Sequence, residues 1–169
     1  MKFLIVVDMQ VDFISGSLGS EQAKAIVPFV VEKVKEHNGV TLFTRDTHES
    51  DYLATQEGRN LPVEHCIKNT VGWEICDELK PYVQCVIDKP VFGSMELPKV
   101  IASYGVDVEE IELCGLCTDI CVISNAIILK SAFPEAKIIV DAKSSAGVSR
   151  ESHLNALSAM RAVQIEIKE

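Results

Sequence analysis

Positive charge is scarce in this chain. Lys and Arg number 16 against 25 Asp and Glu, a formal net charge of −9. No block of Lys or Arg and no basic amphipathic stretch appears. That argues against a nucleic-acid partner, because neutralising phosphates takes clustered cations. It argues equally against an anionic membrane surface. Long apolar runs are missing too, and nothing approaches the roughly 20 residues a spanning helix needs. The opening Met1-Lys2-Phe3-Leu4-Ile5-Val6-Val7-Asp8 holds a short apolar run stopped by Asp8. It lacks the length and the small-residue cleavage site of a signal peptide. Repeats, low-complexity tracts and linkers are absent as well, so residues 1–169 are expected to form one domain with a substantial core.

Cysteine, by contrast, is present six times, as Cys66, Cys76, Cys85, Cys114, Cys117 and Cys121. Most sit in apolar contexts rather than at the loop spacings of a secreted scaffold, which points to reduced thiols and a cytoplasmic protein. Apolar, β-branched runs at 2–8, 40–44, 83–87, 110–115, 137–140 and 162–167 read as strands. Near-continuous apolarity suggests strands buried on both faces of a parallel sheet. Helical patterns at 21–37, 73–79, 97–104, 119–131 and 150–160 lie between them. The alternation predicts an α/β fold: a three-layer α/β/α sandwich around a mostly parallel, doubly wound sheet of about six strands. One long irregular stretch, 46–72, interrupts it, and such loops usually carry function.

In such sheets ligands bind beyond the carboxyl ends of the strands. Asp8, Asp46, Lys89 and Cys121 all fall at or just after predicted strand ends. Cys121 follows an apolar run, a Gly turn and two potential helix caps, Thr118 and Asp119, which puts it in a helix's first turn. Unpaired N–H groups there favour thiolate and can later hold an oxyanion. Asp8 can take the thiol proton and Lys89 can supply a close cation. The plain alternatives are a buried small hydrophobe, a turn cap and a solvated lysine. Asp46 and His48 at i, i+2 can grip one metal ion, with Glu57 and His65 completing a mixed N/O set that suits Zn²⁺, Mn²⁺ or Fe²⁺. Four solvated loop residues is the competing reading.

The segment Gly115-Leu116-Cys117-Thr118-Asp119-Ile120-Cys121-Val122 resembles the nucleophile motif of the isochorismatase-like cysteine hydrolases, a superfamily that includes nicotinamidases. Val7-Asp8-Met9-Gln10-Val11-Asp12-Phe13 is similar to its opening strand motif, and Asp88-Lys89-Pro90-Val91-Phe92-Gly93-Ser94 to its lysine motif. The three occur in the family's order across nearly the whole chain. The resemblance implies a catalytic triad of Asp8, Lys89 and Cys121, with Asp8 as base and later acid. It implies a cis peptide at Leu116–Cys117, and an oxyanion hole from the N–H groups of Cys117 and Cys121. Cys114 and Cys117 are then packing residues.

The nicotinamidase branch adds a metal box, onto which Asp46, His48, Glu57 and His65 fall, with zinc the first expectation and manganese or iron the alternatives. Phe13 matches an aromatic that clamps the substrate ring, but Leu61 stands where a second aromatic is expected. Trp73 either compensates or belongs to the core. The function this implies is hydrolysis of a small carboxamide through a Cys121 thioester, with nicotinamide the leading substrate. Another small amide or carbamoyl compound, a catalytically silent binding subunit, and a Cys114–Cys117 redox pair are the rivals. The apolar helix at 120–132 has surface enough for a homo-oligomer or for core alone.

Overall fold

The computed structural model describes residues Met1–Glu169. Six parallel strands, β1 (Lys2–Val7), β2 (Val40–Asp46), β3 (Val86–Lys89), β4 (Glu110–Leu116), β5 (Lys137–Ala146) and β6 (Glu166–Lys168), pair in the order β3-β2-β1-β4-β5-β6. Alternate residues of β1 enter opposite cores. Phe3, Ile5 and Val7 pack with α4 (Leu97–Ser103), α5 (Ile123–Ala132) and α6 (Arg150–Ala162). Leu4 and Val6 pack beneath α2 (Glu21–Glu36) through Ala23, Ile26, Val27, Val30 and Val34. Two short helices, α1 (Val11–Ile14) and α3 (Gln56–Asn60), follow β1 and β2. The predicted three-layer α/β sandwich is what forms. No helix is long and apolar enough to cross a membrane.

Strand order reverses between β1 and its neighbours β2 and β4, which opens the crevice where such sheets bind ligands. Two backbone features shape it. Asp8 leaves β1 with φ +48, a left-handed conformation costing on the order of 1–2 kcal/mol that Asp tolerates better than most. Gly115 has φ +115, and a β-carbon there would collide with the Val7 carbonyl, so β4 can approach β1 this closely only through glycine.

The structure departs from the sequence expectations at several edges. Residues 73–79 form turns, not a helix. Their backbone groups are spent on the 9–11 segment, through Cys76 N–H to Met9 O and Val11 N–H to Glu74 O, with a bridge between Gln10 and Ile75. The third strand begins three residues later than expected and includes Asp88 and Lys89, because the pairing runs Phe43↔Val86 to Asp46↔Lys89. Helix α6 continues to Ala162, and the last strand starts only at Glu166, after a left-handed Gln164. The helix expected at 119–131 splits into a wide π-type turn, Thr118–Val122, and α5. Thr118 and Asp119 do not cap it: Thr118 pairs with His153 and Asp119 accepts the Val148 N–H.

Replacing Gly115 with Ala is expected to cost about 2–4 kcal/mol through backbone strain and overpacking. A lower urea midpoint at unchanged m would show it; an unchanged midpoint would contradict the close approach.

Candidate active site

Four strand ends converge on one buried cation. Lys89 Nζ, at the end of β3, lies 2.6 Å from Asp8 Oδ2, 3.3 Å from Asp46 Oδ1 and 3.4 Å from Cys121 Sγ. It also donates to the Val91 carbonyl at 3.3 Å. The other Asp8 oxygen accepts from Thr44 Oγ1 at 2.7 Å. Asp8, Lys89, Asp46 and Cys121 are all buried. The sequence-predicted trio is therefore brought together, and Asp46 joins it directly.

Charge in this space is tightly balanced. Burial opposes the Lys89 ammonium, but Asp8, Cys121 and Asp46 outweigh it and hold the lysine protonated. Burial, reinforced by the Asp46 charge, raises Asp8 above the usual carboxylate range against the pull of Lys89. Burial and then the Asp8 carboxylate push the Cys121 thiol well up, with Lys89 pulling it down. Desolvation thus works against the thiolate that the helix start was expected to favour. An acceptor beside it is what makes it usable, and Asp8 is that acceptor by position.

The Leu116–Cys117 peptide is cis. Among the hydrogen bonds outside helices and strands, the Cys117 N–H donates to none. Cys114 is wholly buried in the α2-side core, whereas Cys117 is half-buried and lines the cavity beside Cys121. All six cysteines are free.

The four predicted metal ligands also come together. One donor atom from each of Asp46, His48, Glu57 and His65 lies within 4.8 Å of the others. His48 Nε2 is 3.0 Å from Asp46 Oδ2 and 3.5 Å from Glu57 Oε1; His65 Nε2 is 3.6 and 3.9 Å from the same two oxygens. With ligand bonds of about 2.0–2.2 Å, such separations suit donors around one small divalent ion. His65 Nδ1–H donates to the Val63 carbonyl at 2.8 Å, which leaves Nε2 as the acceptor facing the cluster. Two imidazoles and two carboxylates are a borderline-hard donor set, so the residues present fit a divalent transition metal. Burial alone would raise Asp46, but the hydrogen bond with His48, the neighbouring His65 ring and the Lys89 charge hold it well below the usual range. Burial and the neighbouring Asp46 raise Glu57.

Sequence reasoning missed the residues that hold these ligands. The Gln10 amide brackets the Asp46 peptide, accepting its N–H at 2.7 Å and donating to its carbonyl at 2.8 Å. Tyr52, buried, sets its ring 4.6 Å from His48 and 4.9 Å from His65, and its hydroxyl donates to the Leu61 carbonyl. Asp12 accepts the N–H of Cys66, next to His65. A polar residue two positions past Asp8 and an isolated Tyr in the metal loop were the only signals available.

A cavity of about 400 Å³ opens beside the trio and the metal cluster, lined by Phe13, Leu61, Phe92, Leu116, Ile120 and Val148 among others. Its walls are mainly apolar, as a small-molecule pocket's are. Phe13 packs against His65, with ring centroids 5.5 Å apart. Trp73 does not reach this cavity: it stacks under the Arg45 guanidinium at 3.3 Å and donates to Thr47. A wider groove between α2 and residues 71–80 contains none of the converging groups.

Comparison with known proteins bears on the family and the fold. The isochorismatase domain profile matches residues 2–169. The chain is 30% identical to the uncharacterized isochorismatase family protein PncA of Bacillus subtilis (strain 168), over 93% of this chain and 92% of that one. It is 28% identical to the nicotinamidase of Saccharomyces cerevisiae, over 75% and 80%. Among solved structures, the nicotinamidase/pyrazinamidase PncA from Bacillus subtilis superposes with TM-score 0.87 at 26% identity, covering 99% of each chain. The pyrazinamidase of Pyrococcus horikoshii, in complex with zinc, gives TM-score 0.82 at 26% identity, covering 99% and 98%.

Burial opposes the His65 imidazolium, but the Asp46 carboxylate 3.6 Å away and the Val63 carbonyl raise its pKa in the metal-free protein. A raised folded value stabilises the metal-free fold fully below the ordinary imidazole range and loses that contribution as pH rises through the raised value. Metal needs the neutral ring, so affinity is expected to climb over the same interval, with proton release on binding. Calorimetric zinc titrations in buffers of different ionisation enthalpy check this; a pH-independent affinity would contradict it.

Proposed function

The chain belongs to the isochorismatase family, and from that premise we propose that it is a cysteine amidohydrolase whose nucleophile is Cys121. It is a hydrolase of carbon–nitrogen bonds in small amides. The observation that carries this reading is the single Lys89 ammonium shared by Asp8 at 2.6 Å and Cys121 Sγ at 3.4 Å on the wall of a small cavity.

In the proposed reaction Asp8 takes the Cys121 proton as the sulfur attacks the carboxamide carbon. Lys89 compensates the charge left on sulfur, so the costly buried thiolate exists only as bond formation begins. The developing oxyanion is held by the N–H groups of Cys117 and Cys121, donors of a kind worth about 10²–10³ in rate. Protonated Asp8 then delivers its proton to the departing nitrogen, releasing ammonia and leaving an acyl thioester on Cys121. Asp8, again a carboxylate, takes a proton from water as it attacks the thioester carbon. The acid departs and the sulfur regains the proton. A carboxyl group raised toward neutrality by burial suits both halves of that cycle.

Asp46, His48, Glu57 and His65 would hold a divalent ion, zinc by preference, which supplies an electrophilic anchor for a ring lone pair of the substrate. Tyr52 and the Val63 carbonyl set the imidazoles, and Phe13 offers a flat apolar contact. We take nicotinamide as the substrate, giving nicotinate and ammonia; the nicotinamidase and pyrazinamidase names of the relatives above support that choice. One observation favours a second reading, hydrolysis of a different small amide: Leu61 lines the cavity where an aromatic was expected. Six free thiols fit a reducing, cytoplasmic setting.

Zinc-loaded protein is expected to release ammonia from nicotinamide, and Cys121→Ala to lower the rate by about 10⁴-fold or more with circular dichroism and metal content unchanged. Appreciable turnover by the variant would remove Cys121 as nucleophile. Turnover of other carboxamides but not nicotinamide would keep the chemistry and move the substrate.

A further inference from the structure

Asparagine suits a helix poorly, because its amide competes for backbone groups. Asn125 nevertheless stands wholly buried in the first turn of α5, four residues after Cys121. Its amide nitrogen donates to the Cys121 carbonyl at 2.8 Å. That bond alone does not call for an amide. Ser124 and Ser131, in the same helix, reach the carbonyls four residues back, Ile120 and Ile127, with a hydroxyl. A hydroxyl has one hydrogen to give, whereas the Asn125 amide gives two and accepts as well. Its nitrogen also donates to the Phe92 carbonyl at 3.2 Å, and Oδ1 accepts the Ser94 N–H at 2.9 Å. One buried amide thus joins the turn that carries Cys121 to the segment that leaves β3.

That segment anchors the lysine. Lys89 ends β3, and its Nζ donates to the carbonyl of Val91, two residues on. Residues 90–95 make no backbone-to-backbone hydrogen bond, and Val91, Phe92 and Met95 are exposed. Side chains hold this backbone instead: Lys89 at Val91, Asn125 at Phe92 and Ser94. Resting on the amidohydrolase reading above, we infer that Asn125 is a positioning residue of that reaction. By tying the Cys121 backbone to the segment that anchors the Lys89 ammonium, it sets the 3.4 Å between Nζ and Sγ. Its hydrogen bonds go to backbone atoms, so it acts through the cation and the sulfur rather than on the substrate. A misplacement of about 1 Å between reacting groups can cost about 10²-fold in rate.

Two variants separate the tie from the helix bond. Asn125→Ser keeps a hydroxyl for the Cys121 carbonyl but releases Phe92 and Ser94, and Asn125→Ala releases all three. Zinc-loaded protein is assayed on the carboxamide that wild-type protein turns over, nicotinamide first. Both variants are expected to lower kcat about 10- to 100-fold with KM nearly unchanged. On the Cys121→Ala background, adding Asn125→Ser is expected to leave calorimetric affinity for the same amide within about 2-fold. A merely structural part would lower the melting temperature and leave kcat, measured well below it, untouched. Wild-type kcat in Asn125→Ser, a loss carried by KM or affinity instead of kcat, or failure of both variants to fold overturns the assignment. Failure of the amidohydrolase reading shows elsewhere, as wild-type protein that releases no ammonia from any carboxamide.

Discussion

One ammonium group organises this molecule. Taking a lysine out of water costs several kcal/mol, and only close partners on every side return it. Lys89 finds Asp8 from β1, Asp46 from β2, Cys121 from the turn after β4 and the Val91 carbonyl from its own strand's exit. Asp8, Asp46 and Cys121 are distant from Lys89 and from one another in sequence, so the sheet order is what supplies them. Removing the cation would strand two buried carboxylates, and removing either carboxylate would unbalance the thiol. Stability and chemistry therefore draw on the same contact, which is why the four strand ends cannot vary independently.

The two aspartates beside that lysine show how environment divides labour between identical side chains. Asp46 has a hydrogen bond with His48 and a second imidazole, His65, 3.6 Å away, and is held ionised, the state that binding a metal would require. Asp8 is more completely enclosed and feels the Asp46 charge, which raises its affinity for a proton. Pairs of carboxyl groups pushed apart in this way mark acid–base assignments in enzymes generally. Here the split comes from the imidazoles beside Asp46, which Asp8 lacks, and from the deeper burial of Asp8.

Much of this was legible before any coordinates. Buried apolar runs located strands β1, β2 and β4 because period and length agreed, and the convergence of Asp8, Asp46, Lys89 and Cys121 followed from their places at strand ends. The i, i+2 spacing of Asp46 and His48 suggested a metal site, and the family resemblance supported adding Glu57 and His65, with which they come together. What stayed hidden depends on contacts between distant segments. Residues 73–79 have a helical pattern, yet the 9–11 segment captures their backbone groups. Lys89 lies inside β3 rather than just past it because the register is set by β2, not by local apolarity. Gln10, Tyr52 and Asn125 act through backbone carbonyls and N–H groups, which no side-chain pattern records. The desolvation that opposes a Cys121 thiolate was hidden for a related reason: a helix start is visible in sequence, whereas the depth at which it is buried is not.

The strand order has a consequence for how such a protein comes off the ribosome. β1 is made first but sits mid-sheet, with Lys2 opposite Glu110 on one side and Phe3 opposite Val40 on the other. Until more than half the chain has emerged, one edge of β1 stays open and Asp8 has no thiol to serve. Pairings of such long separation form slowly. A growing chain consequently exposes Asp8, the 46–65 segment and Lys89 before Cys121 has been made. Cys121 arrives after the other three strand ends have been made, so a chain terminated before β4 holds Asp8, Asp46 and Lys89 without the thiol that completes their cluster.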